Sequence, residues 1–139
     1  MPVSRTLALL LAAAGLATGC GASGGNSASD FTGVRQDVAT TVDDLESAAK
    51  SSDENKICTE LLAPSLIDTL RTASKASCNT AVNDAIKDAD SFDMTVKSVN
   101  VTGDTATAVV DSKNRSADDT FTFEKVGGAW KISSFGNGS

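Results

Sequence analysis

The period of the apolar residues changes once along this chain, at about Phe92, and that change restricts the fold more than any other feature. Upstream, apolar side chains recur every three or four positions; downstream they alternate with polar ones. Side chains three and four apart share one face of a helix, whereas side chains two apart share one face of a sheet. Helices followed by strands read as α+β, with the helices laid on one face of an antiparallel sheet.

The helical half begins with Asp30 to Lys50, where Phe31, Val34, Val38, Val42, Leu45 and Ala49 form a single apolar stripe. Ser29 or Asp30 is placed to cap this helix, and Asp37, Asp43, Asp44 and Glu46 fall off the stripe onto an expected solvated face. Ser51-Ser52-Asp53 ends it. A second helix is expected from Glu54 to Ala63, with Ile57, Cys58, Leu61 and Leu62 inward. Pro64 suits the first turn of a new segment and disrupts the interior of an old one, so Pro64 to Arg71 reads as a further turn or two. Ser77 then caps a helix from Cys78 to Ala89 whose inward set includes Val82, Ala85 and Ile86.

In the strand half, Phe92, Met94 and Val96 alternate, the phase slips at Lys97-Ser98, and Val99 and Val101 continue. A phase slip of this kind is the mark of a β-bulge, which bends the strand. Thr105 to Asp111, Thr120 to Val126 and Ala129 to Phe135 follow as strands, joined by a turn at Thr102-Gly103-Asp104, a polar connection from Ser112 to Asp118 and a tight Gly127-Gly128 turn. The expected fold is three N-terminal helices packed on a bent four-stranded antiparallel meander, cone-like in outline.

The first 29 residues have a different character. Arg5 is followed by an apolar run from Thr6 to Ala17, too short to span a membrane but of the length of a secretory signal core. Ala17-Thr18-Gly19-Cys20 resembles the bacterial lipobox, in which the cysteine receives a diacylglycerol thioether and becomes the new N-terminus; Ala17 stands where such boxes more often carry Leu, Val or Ile. The expected organisation is a signal peptide over 1–19, a lipid-anchored Gly/Ser tether over 20–29, one domain over 30–135 and a tail over 136–139. The tether matches G-x-S-x-G at Gly21, Ser23 and Gly25, but it lacks the strand, helix and histidine that a nucleophile elbow needs.

Cysteine count supports the anchor. Three is odd for an exported chain, and lipidating Cys20 leaves Cys58 and Cys78, both on apolar faces, to pair in an oxidising compartment. Removing the first 19 of 139 residues leaves 120, and the loss of Arg5 takes the formal charge from −6 to −7. That acidity argues against nucleic acid as a partner. The membrane is reached through the lipid and needs no basic patch when two or three acyl chains carry the load.

The order of elements, the strand-turn-strand of Val99, Val101, Gly103, Asp104 and Ala106, and the closing Gly127-Gly128-Ala129-Trp130-Lys131-Ile132 resemble the nuclear-transport-factor-2-like (SnoaL-like) cone. More narrowly, they resemble small actinobacterial lipoproteins of that superfamily. The resemblance spans Asp30 to Phe135 and implies a sheet wrapped around a central space. The chain departs from it in having no strand pair between its second and third helices.

Enzymes of that superfamily typically place His, Asp or Tyr inside the cone. With no His and no Tyr anywhere, this chain lacks Ser-His and Cys-His nucleophiles, histidine zinc sites and tyrosine oxyanion donors. Asp84, Asp88, Asp90 and Asp93 cluster, but the pattern fails the calcium-loop spacing: Phe92 and Val99 stand where ligands belong. Asp93 is expected on the solvated sheet face. Sequons at Asn100, Asn114 and Asn137 carry no expectation of their own. A lone buried Asp could still act as a base, but no catalytic residue, metal or cofactor is expected. The first reading is a non-catalytic envelope lipoprotein that interacts with another envelope protein or serves a structural role. The second is a small apolar-ligand binder, lined by Phe92, Met94, Phe121, Phe123 and Trp130. An enclosed cavity of at least roughly 300 Å³ would favour the second. A filled cone exposing a contiguous apolar patch would favour the first. A third reading, an enzyme, requires an ionisable group buried in the cavity.

Overall fold

In the computed structural model of the protein, residues 27–113 and 115–136 are described. The expected leader, Cys20, the tether up to residue 26 and the sequons at Asn114 and Asn137 lie outside the described residues. No helix among the described residues is long and apolar enough to cross a membrane.

Helices precede strands, as the change of period predicts. They are α1 (Val34–Lys50), α2 (Glu54–Lys56) running on into a π turn (Ile57–Leu61), α3 (Pro64–Ser74) and α4 (Cys78–Asp88). The strands β1 (Met94–Thr102), β2 (Thr105–Ser112), β3 (Asp119–Val126) and β4 (Ala129–Gly136) pair antiparallel in the order β1-β2-β3-β4. The fold is α+β, and its layout is consistent with a cone. Four helical segments take the place of the expected three, because the Pro64 segment continues past Arg71. Pro64 sits in the first turn, where its missing N–H forfeits no intrahelical bond, and Lys75 closes the helix in the left-handed conformation at φ 56°.

Two of the sequence expectations for α1 are corrected. The helix starts at Val34 after a separate 3-10 turn, Ala28–Asp30, and Val34 is 45% exposed. Glu46, expected on the solvated face, is buried. It accepts from the Met94 backbone N–H at 2.9 Å and from Lys50 Nζ. The reason lies in topology. β1 is an edge strand, so the outward N–H groups of Met94 and Val96 have no neighbouring strand. Glu46 satisfies the first, and Ser27 Oγ accepts from the second at 2.9 Å.

That contact also moves the domain boundary. Ser27 and Ala28, expected in the tether, are buried, and their N–H groups donate to Asp43 at 3.1 and 2.9 Å. Burial raises the Asp43 carboxyl above its usual range against the lowering effect of those two bonds. On the opposite edge, the Ala63 N–H donates to the Ile132 carbonyl at 2.8 Å, so the segment between the π turn and α3 covers part of β4.

The expected bulge in β1 is present between Val96 and Ser98. A second register shift between β3 and β4, at Thr122/Phe123, adds a bend that the sequence pattern did not signal. Gly127 and Gly128 both have positive φ, 58° and 83°, as a two-residue hairpin turn requires. Helices cover one sheet face, where Val110, Phe123 and Ile132 join Val38 and Val42 at 0% exposure. Cys58 and Cys78 form the expected disulfide, with Cα atoms 6.1 Å apart, tying the π turn to the first residue of α4.

Candidate functional site

The inward sheet face is packed solid at its centre and hollow at one end. The hollow lies where β1 and β3 begin and β2 and β4 end, and it is a chamber of about 390 Å³, open on one side. Met94 and Phe121 form its sheet wall, joined by Phe92 from the segment just before β1. Leu45 of α1, Leu70 of α3 and Ile86 of α4 face them. Space remains because several helical positions turned to this end are small: Ala49, Ala81 and Ala85 stand where larger side chains would fill it. Ile57, on the π turn held by the disulfide, completes the back.

At the mouth, Ala85, Arg115 and Phe135 are exposed. Phe135 packs edge-on against Phe121, with centroids 5.0 Å apart and planes at 85°. Gly136 pairs with Thr120, and a Cβ there would come within 2.7 Å of the Thr120 carbonyl oxygen, so the end of β4 reaches its neighbour only as glycine.

The polar groups of the chamber are concentrated on the β2–β3 connection. The Asp119 side chain is 11% exposed and both its oxygens lie near Arg115 Nη1, at 2.8 and 3.1 Å. Arg115 is itself placed by a turn in which its N–H donates to the Ser112 carbonyl at 2.9 Å. Its side chain is 57% exposed, so the pair runs from solvent inward, carboxylate innermost. A charge-assisted bond offsets part of the cost of removing the carboxylate from water.

Of the five residues expected to line a cavity, Phe92, Met94 and Phe121 do so. Phe123 is in the solid centre at 0% exposure. Trp130 lies toward the opposite end of the sheet, beside the Gly127-Gly128 turn, with Lys125 Nζ 5.6 Å from its ring centroid. Neither lines the chamber. The helical wall and the Arg115–Asp119 pair were not anticipated. A four-residue spacing of Arg and Asp within a polar connection was the available signal, and it looks the same as a solvated loop.

The acidic cluster falls outside the chamber. Asp84, Asp88 and Asp90 are exposed. Asp93 is half-buried and bonded to Lys50 at 2.8 Å, with Lys113 at 3.9 Å. The hydrogen bond from Lys50, reinforced by the charges of both lysines, holds its carboxyl below the usual range. In chemical terms the site offers apolar burial with Ser112, the Arg115 guanidinium and the Asp119 carboxylate at one end.

A family model described as "Putative lumazine-binding" matches residues 67–134, just under half of the chain. The matched stretch takes in α4, β1, β2, β3 and the Arg115–Asp119 pair. No curated protein and no solved structure matches significantly. Over that stretch the chain is similar to a family of nuclear-transport-factor-2-like type, in line with the resemblance carried by its turns and its strand order.

Proposed function

We propose that this is a non-catalytic, lipid-anchored envelope domain that holds a small, mainly apolar ligand in the chamber. The observation that carries the reading is the chamber itself, about 390 Å³ with predominantly apolar walls. Such a volume falls within the size range of small-molecule pockets. Interaction with another envelope protein becomes the second reading. Phe135, one of two large apolar side chains exposed among the described residues, belongs to the mouth of the chamber. The similarity to a lumazine-binding family supports a small ligand and adds flat bicyclic heteroaromatics to the candidates. The lack of His and Tyr supports binding without turnover; among the described residues the one buried carboxylate at the chamber, Asp119, is the group an enzyme would need and is engaged by Arg115. The lipobox-like Ala17 to Cys20 supports the anchor and an extracytoplasmic location.

The test is native mass spectrometry on the whole chain exported with Cys20→Ala, which lets it be recovered without detergent. A mass excess that disappears on denaturation is the expected result. A bare protein that also takes up neither lumazine nor propylbenzene from solution refutes the ligand reading. In the same cells the unsubstituted chain should fractionate with membranes and Cys20→Ala should not; equal membrane association of both refutes the anchor.

A further inference from the structure

The Arg115–Asp119 pair is electroneutral, and both partners keep unused hydrogen-bonding capacity. Among the described residues, the Asp119 oxygens accept only from Arg115 Nη1, although a carboxylate has room for about four donors. Arg115 Nε and Nη2 have no acceptor among the described residues. A free carboxylate brought to Arg115 would stand beside the Asp119 carboxylate, whose side chain is only 11% exposed, and the like charges would repel. A cation brought to Asp119 would meet the guanidinium. A neutral head with adjacent C=O and N–H suits both: the carbonyl accepts from Arg115 and the N–H donates to Asp119. Resting on the chamber reading above, we propose that the ligand is an apolar body ending in an amide-type head (primary amide, lactam or imide) read by Arg115 and Asp119. A head that cannot donate to Asp119 leaves the buried carboxylate without that further partner, which is the basis of the discrimination.

The experiment uses three probes of one shape, para-propylbenzamide, para-propylbenzoate and propylbenzene, titrated into the exported Cys20→Ala chain and followed by backbone-amide NMR shifts. The benzamide should bind about tenfold more tightly than the benzoate. Asp119→Asn should abolish or reverse that preference, because it removes the repelling charge and leaves the Arg115 guanidinium to attract a carboxylate. Arg115→Gln, at a more exposed position, should lower the benzamide-to-propylbenzene affinity ratio about fivefold, and it decides the matter if Asp119→Asn does not fold. Equal binding of benzamide and benzoate before either substitution, or preferences unchanged in the folded variants, overturns the head-group proposal while leaving the chamber. Failure of all three probes, propylbenzene included, to shift Ala85, Ile86 and Phe92 overturns the chamber and the proposal together.

Discussion

Replacing both Cys58 and Cys78 by alanine tests how far the helical wall depends on its cross-link. The bond closes a sequence separation of 20 residues. In the chain-entropy treatment a loop of that length contributes roughly 3 kcal/mol by restricting the unfolded chain. Both cysteines are buried, at 7% and 5% exposure, so truncation also removes packed sulfur, adding about 1 kcal/mol. The expected loss is about 4 kcal/mol, which for a domain of this size lowers Tm by about 15 °C. Urea unfolding followed by the fluorescence of Trp130, the single tryptophan and a buried one, reads it directly. A loss below about 1 kcal/mol would refute the argument, since packing alone would then hold the π turn on α4. The same variant carries a second readout. Because Ile57 and the α4 residues Ala81 and Ile86 all line the chamber, the probe affinity should fall even where the variant is fully folded. Unchanged affinity would mean the wall keeps its shape without the bond.

Glu46→Ala strands the buried Met94 N–H and should cost about 2 kcal/mol in thermal unfolding, whereas Glu46→Gln, which still accepts that bond, should cost less; equal losses would refute the edge-strand role. The Asp43 carboxyl is raised above its ordinary value of 3.8, chiefly by burial, so its contribution to stability is present at low pH and is lost as pH rises through the raised value. The stability of the unsubstituted chain relative to Asp43→Asn should therefore fall from strongly acidic toward weakly acidic pH; a difference that rises, or stays flat, contradicts it. Ala85→Phe places a ring in the chamber mouth at an exposed helical position, so it should abolish probe binding while changing stability by less than about 1 kcal/mol; retained binding would place the ligand elsewhere.

What was legible in the sequence follows from what periodicity encodes. Period two gave the correct inward set on every strand, Ala106, Ala108 and Val110 among them, and the phase slip located the β1 bulge. Period alone says which face a side chain takes and nothing about its height along the strand. Phe121 and Phe123 share a face, yet one lines the chamber and the other fills the centre, because the helices cover the two heights differently. Glu46 was misread for a related reason. Its partner is a backbone N–H 48 residues away on an edge strand, and a polar side chain satisfying such a group leaves no mark on the pattern of its own helix. Arg115 and Asp119 sit where the chain reads as a plain polar connection. The parity of the cysteines and their apolar faces sufficed for the disulfide.

The clip at Ser27 has a mechanical side. Six residues lie between Cys20 and Ser27, and the seven steps make a leash no longer than about 25 Å even at full stretch. Were Cys20 held by lipid, as proposed above, any tug on the domain would arrive first at Ser27 and Ala28. Their N–H groups grip α1 through Asp43, and the Ser27 hydroxyl grips the outer edge of β1. These three bonds stand between the applied force and the sheet ladder. Tension would reach them before the sheet ladder, and freeing the short run up to Gly33, in which Phe31 packs against the core, would lengthen the leash by roughly as much again. On the proposed anchor, the clip would act as a fuse that absorbs a pull before the core feels it.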